Sequence, residues 1–414
     1  MTTSYTAPTT PALLVEELAE RLAGPGPAPE GDRWWGQSLA HGAAGTALVH
    51  IERAHTGHGT WSVARRWITH AASGEISAAD TVGLLMGAPA LAFVLTAVAQ
   101  GDDSRYAEAR QLMDHHVTEL AHRRVDRAMA RIRSGELPVF GEYDLFHGLT
   151  GIGAYLLHRD PGGAALERVL DYLVALSRPL RVDGETRPGW WVTHDPHKQV
   201  PSDAYGGHSN HGAAHGITGP LMLLAQAGRR GRWVDRHREA LAAITGWLDA
   251  WRQEGPTGPW WPEHVTTAEL RTGHPLQPGP ARPSWCYGTP GIARAGQLAA
   301  IATGDTHRQR AFEDALDRCL ADPVQTARLI DAGLCHGWAG VYQTVWRAAR
   351  DASTPTLAAH LLDLGHALVQ QVHLKGASEN PGFLEGAAGT ALALMTLTTD
   401  TAPISGWDAC LLID

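Results

Sequence analysis

Two cysteines, and the histidine that follows one of them, are the residues of this chain best suited to chemistry. Cys286 and Cys335 each stand two residues before a glycine, in SWCYGTPG and LCHGWAG, and His336 follows Cys335 directly. Two thiolates and one imidazole form a donor set for a zinc ion. Three protein ligands would leave the fourth tetrahedral position open, as in catalytic sites. The alternative is a pair of small buried thiols beside a structural histidine. The other two cysteines, Cys319 and Cys410, fall in an amphipathic segment and in the tail, where free thiols are usually core residues. Four cysteines in 414 residues do not make a disulfide scaffold.

The elements that would position these groups show in the glycine pattern. Seven segments share a polar or small residue, a glycine, two further residues, usually a second glycine, and then an apolar run. Their first glycines are Gly42, Gly87, Gly148, Gly216, Gly288, Gly337 and Gly386, spaced 45 to 72 residues apart. That spacing is the mark of a repeat architecture with insertions. Between the motifs lie charged amphipathic segments, such as those beginning near Leu13, Tyr106, His237 and Gln309, with apolar residues at i, i+3, i+4 and i+7. Small-residue helices alternating with amphipathic ones predict an all-α fold, an α/α toroid of seven inner and seven outer helices. One such barrel would account for the whole chain, 1–414, as a single domain. Residues 181–214 and 253–285 break the pattern with turn formers and paired tryptophans. They read as inserted loops or short strands that cover or shape a site.

In such a barrel the glycine motifs gather at one end, where seven helix N-termini favour anions. The residues before the first glycines should line that basin: His41, Met86, His147, His215, Tyr287, His336 and Glu385. His215 would face the cysteines as a fourth ligand, a general acid or base, or a hydrogen-bonding wall group. Asp144, in EYDLFHG, could orient a basic group or cap its turn. Arg282, four residues before Cys286, could stabilise an oxyanion or be an ordinary surface arginine.

The formal charge of −9 excludes a strongly basic nucleic-acid binder. Lys198 and Lys375 are the only lysines among 34 basic residues, a compositional bias rather than a functional one. No apolar run reaches the roughly 18 residues of a membrane span. The N-terminus has no basic n-region before it turns amphipathic, so a signal peptide is not expected and the reading is a cytoplasmic protein with reduced thiols.

Together SWCYGTPG, LCHGWAG, AHGITGPL, YDLFHGLTG and EGAAGTALAL resemble the lanthionine synthetase C-like family, the lanthipeptide cyclases, from about Trp34 to the terminal LLID. The resemblance implies the α/α toroid with an insertion resembling an SH2 domain, of which residues 181–210 would be part. It implies one zinc ion on Cys286, Cys335 and His336, with His215 as catalytic histidine and Asp144 and Arg282 as active-site partners. It also implies the activity: peptide cysteine thiols add to dehydroalanine or dehydrobutyrine and close thioether rings. The substrate would be a dehydrated precursor peptide, leader plus core. A separate dehydratase would supply it, in an assembly at a membrane. His41 and His147 depart from the family pattern and read as pocket wall.

The residues leave three alternatives open. A family member could add glutathione or another thiol to dehydrated proteins. An α/α-toroid glycoside hydrolase would need two opposed carboxylates, with Asp144 and Glu385 as candidates. A non-catalytic peptide-binding scaffold should have lost a zinc ligand, and all three are present.

Overall fold

The computed structural model describes residues 10–102, 104–182, 184–195 and 206–414. Seven inner helices follow the seven glycine motifs: α2 (Ala43–His55), α4 (Gly87–Ala99), α6 (Leu149–Arg159), α8 (Thr218–Arg229), α10 (Thr289–Thr303), α12 (Trp338–Asp351) and α14 (Ala387–Thr399). Seven outer helices alternate with them: α1 (Pro11–Arg21), α3 (Trp61–Ala71), α5 (Ala107–Ser134), α7 (Ala164–Leu176), α9 (His237–Trp251), α11 (Thr306–Ala321) and α13 (Leu361–Lys375). Each inner helix packs on the next, and α14 returns to α2, so the ring closes.

Composition explains which helix goes where. Every residue of α4 is buried, because its small and apolar residues leave no face that prefers water. Outer helix α3 buries only Ala64, Trp67, Ile68 and Ala71, one stripe at helical spacing.

The glycines serve close approach more than unusual backbone angles. Of the motifs' first glycines, only Gly87 has a positive φ, at 67°. At Gly340 an added Cβ would lie 1.8 Å from the Leu334 carbonyl oxygen, because the chain folds back onto the start of its own helix.

The loops before the inner helices are stitched to one another by backbone hydrogen bonds around the rim. Leu145 N–H donates to the Ala214 carbonyl, Ala213 N–H to Cys286, Cys286 N–H to Cys335, Cys335 N–H to Leu384 and Leu384 N–H to Ala40, at 2.8–3.2 Å. These bonds hold the cysteine-bearing loops in fixed register with their neighbours on either side.

The insertions form three short antiparallel pairs. Strand β1 (Leu180–Val182) pairs with β2 (Glu185–Arg187), and β4 (Gln253–Gly255) with β5 (Gly258–Trp260). Strand β3 (His208–Asn210) pairs with β6 (His264–Thr266), which joins the two inserted stretches. Of the insertion expected at 181–210, residues 183 and 196–205 lie outside the described residues.

The C-terminal segment is buried among the inner helices. Arg294, fully buried on α10, donates to the Ile413 carbonyl, and Asp408, also fully buried, binds Arg347 of α12. Among the described residues, no helix is long and apolar enough to cross a membrane.

Candidate active site

Cys286 and Cys335 sit in the loops that precede α10 and α12. The hydrogen bond from Cys286 N–H to the Cys335 carbonyl, 3.2 Å long, places the two loops side by side. Among the described residues, Cys286, Cys335 and His336 form the metal-competent cluster, their ligand atoms within 4.8 Å of one another. Both thiols are buried and the imidazole is partly exposed, so the cluster is dry on one side and open on the other.

A hydrogen bond from Cys335, helped by His336 and Ser284, holds Cys286 below the ordinary thiol range against the opposing effect of burial. The same contact with Cys286, together with burial, pushes Cys335 well above the ordinary thiol range. His336 is raised, chiefly by its bond to Cys286. A site that already stabilises negative charge on sulfur beside an imidazole fits a zinc ion by its donor chemistry.

Two carboxylates flank the imidazole. Asp331 Oδ2 lies 3.6 Å from His336 Nε2, and Glu385 Oε1 lies 3.7 Å from Nδ1. The same Asp331 oxygen is 3.8 Å from Arg282 Nη1, so Arg282 reaches the metal-competent cluster through Asp331.

Asp331 was not singled out from the sequence, although a signal exists. Asn210, Asp331 and Asn380 each stand six residues before a motif glycine. Each side-chain oxygen accepts the N–H two residues on, that of Gly212, Gly333 or Gly382. The aspartate is thus a turn former by position, and its second oxygen is free to face His336 and Arg282.

His215 and Asp144 meet on the neighbouring rim loops. Asp144 is fully buried, and its Oδ2 lies 2.6 Å from His215 Nδ1. Its Oδ1 accepts the backbone N–H groups of His147 at 2.6 Å and Gly148 at 2.8 Å. This carboxylate therefore does both jobs considered from sequence: it caps the α6 turn and orients the imidazole. With Nδ1–H committed to Asp144, Nε2 is the nitrogen left to exchange a proton. Phe146 packs edge-on to the His215 ring at 4.8 Å, and Phe140 and His147 stack on it at 5.9 Å. Ala213, two residues before His215, donates to the Cys286 carbonyl, which joins the two halves of the site.

From sequence Tyr287 reads only as a basin residue. Its ring lies 6.4 Å from that of His215, and its hydroxyl accepts from Asn210 Nδ2 at 3.0 Å. Burial raises its pKa, so the phenol stays neutral.

His147 stands against His215, as a wall residue would. His41 is half-exposed and held by Ser38 and Asp32. Cys319 and Cys410 are buried in the packing, their thiols raised by desolvation, Cys319 to about 12. The glycoside hydrolase arrangement does not form. Asp144 is sealed from solvent and committed to His215, so it cannot flank a glycosidic bond.

Comparison with known proteins gives a consistent placement. The lanthionine synthetase C-like protein family matches residues 33–412. The chain belongs to the lanthionine synthetase C-like family. It is similar to the nisin biosynthesis protein NisC of Lactococcus lactis subsp. lactis, at 25% identity over 256 residues. That match takes in 61% of this chain and 60% of NisC, less than two thirds of the relative's length. The solved structure of nisin cyclase superimposes with a TM-score of 0.79 at 19% identity, covering 97% of this chain and 96% of that one. This lanthionine synthetase C-like chain therefore has the α/α-toroid fold expected from its repeats.

Proposed function

We propose that the protein is a zinc-dependent lanthipeptide cyclase. It joins cysteine thiols of a dehydrated precursor peptide to dehydroalanine or dehydrobutyrine and closes lanthionine or methyllanthionine rings. One observation carries the reading. A two-sulfur, one-imidazole cluster and an imidazole oriented by a buried carboxylate lie on stitched rim loops of a lanthionine synthetase C-like barrel. One zinc ion on Cys286, Cys335 and His336 would supply Lewis acidity that lowers the pKa of an incoming thiol.

The chain's own residues supply the remaining chemistry. His215 Nε2 accepts the thiol proton, and Asp144 stabilises the resulting imidazolium. The sulfur forms a bond to the β-carbon while the alkene π pair moves toward the α-carbon and its carbonyl. Arg282 and the N-termini of the inner helices face the negative charge on that oxygen. Protonation of the α-carbon by His215 completes the addition with no change in mass. The reading treats 1–414 as one cyclase domain, with 181–210 part of an insertion over the active-site end. The protein would act in the cytoplasm, and a separate dehydratase would provide the substrate.

The test is thiol alkylation with mass spectrometry. A dehydrated precursor incubated with the protein should lose alkylatable cysteines at constant mass. Alkylation of every cysteine after incubation would overturn the activity on that peptide.

A further inference from the structure

Asp144 is fully buried, and its ion-pair partner is His215. Arg124 of outer helix α5 is joined to Asp144 through the 147–148 peptide. Burial lowers the pKa of this side chain, and the charge of Asp144 opposes that shift. The other acids near Arg124 are engaged elsewhere, Asp80 by Arg123 and Arg127, and Glu142 by Arg131.

Arg124 is spent on backbone carbonyls. Nη1 donates to Val82 at 2.8 Å and to His147 at 2.7 Å, and Nη2 donates to Gly141. The His147 carbonyl and the Gly148 N–H belong to one peptide group. Its oxygen accepts from Arg124 and its N–H donates to Asp144 Oδ1. The peptide is thus held between a buried cation and a buried carboxylate, and each bond polarises the next. The chain of contacts runs from the Arg124 guanidinium through the 147–148 peptide to Asp144 and on to His215 Nδ1. Val82 lies in the loop before α4, and Gly141 in the single helical turn Phe140–Tyr143 that leads into Asp144, so the same fork fixes the geometry in which Asp144 meets the imidazole.

We infer that Arg124 is a positioning residue for the His215–Asp144 pair, acting through the 147–148 peptide and touching neither substrate nor metal. This rests on the reading of His215 as the acid–base group, and its first readout does not need turnover. The experiment follows the His215 Nδ1–H proton by NMR in protein labelled with nitrogen-15 at histidine. It compares the unsubstituted chain with Arg124→Gln and Arg124→Lys, at matched zinc content and thermal midpoint. Arg124→Gln should shift or abolish that resonance, and Arg124→Lys, which keeps the charge but loses the planar fork, should restore it only in part. An unchanged resonance in Arg124→Gln overturns the inference.

A second measurement needs no substitution. In protein labelled at arginine nitrogens, the Arg124 guanidinium resonances should move with the same pH midpoint as the His215 ring, and their failure to move with it also overturns the inference. With a cyclisable peptide, Arg124→Gln should lower kcat by about 10–100-fold with KM nearly unchanged and move the pH–rate profile. If the NMR coupling is present and no ring forms even with the unsubstituted chain, the cyclase reading fails and the Arg124 relay stands.

Discussion

At the residue scale, the site separates into groups that should bind metal and groups that should move protons. Cys286→Ala or Cys335→Ala removes one of two sulfurs from a cluster whose ligand atoms converge within 4.8 Å. Metal analysis should show loss of zinc from either variant, and full retention in both would remove the metal site from the account. His215→Ala leaves that cluster intact and should keep zinc while ring formation falls by about 10²–10⁴-fold. Loss of zinc from His215→Ala would instead make it a ligand, the option its sequence position left open. The cysteines were legible because cysteine is rare in this chain and their repeat positions match, and His336 because it follows Cys335 directly. Asp331 was not, because an aspartate that forms a turn and an aspartate beside a metal ligand look alike in sequence. Only the direction of its second oxygen separates them.

At the element scale, the alternation of small-residue and amphipathic segments was enough to count the fourteen long helices, seven inner and seven outer. Burial is a property of a whole helix face, and composition reports it directly. The pairing of β3 with β6 was hidden, because three-residue strands far apart in sequence carry too little periodicity to show a partner. The role of glycine also needed the structure, and two positions separate its meanings. Gly340 on inner helix α12 has the Leu334 carbonyl where a Cβ would go, next to Cys335. Gly340→Ala should destabilise by about 1–3 kcal/mol or more and weaken zinc retention by displacing the Cys335 loop. Gly246 on outer helix α9 is exposed, and a Cβ there meets nothing within 4 Å. Gly246→Ala should stabilise by about 0.5–1 kcal/mol. Thermal and urea unfolding of the two variants check both signs, and equal effects would contradict the close-approach argument.

At the scale of the whole molecule, buried histidines tie distant parts together and make stability depend on pH. His211 beside β3 is fully buried. Its Nδ1 donates to the Pro262 carbonyl of the second insertion, and its Nε2 accepts from Trp247 of α9. Burial lowers it to about 4, and also lowers His50, which donates to the Leu22 carbonyl at the end of α1, to about 4. Between about 4 and the ordinary histidine value near 6.5, the unfolded chain binds protons that the folded chain refuses. Stability is therefore complete above that ordinary value and falls as the pH drops toward 4, by about 1.4 kcal/mol per pH unit for each such group. Urea unfolding across this range should show the decline, and His211→Gln should flatten it; an unchanged slope in the variant would count against His211.

The buried tail connects the far end of the barrel to the metal-competent cluster. Asp408 accepts from Gln343 Nε2 and from Nε and Nη2 of Arg347, all at 2.7 Å. Three residues on, the Leu411 carbonyl accepts the indole N–H of Trp285, the neighbour of Cys286. Asp408→Ala leaves Arg347 partly buried without its carboxylate and should cost about 3–5 kcal/mol. That is a large share of the roughly 5–15 kcal/mol that separates folded from unfolded domains. Because Trp285 rests on the same segment, metal release should follow the unfolding curve to lower urea in this variant. Measuring zinc release with a chromogenic chelator alongside tryptophan fluorescence tests the link. Release at the unsubstituted urea concentration while the fold melts earlier would show that the tail supports the barrel but not the site.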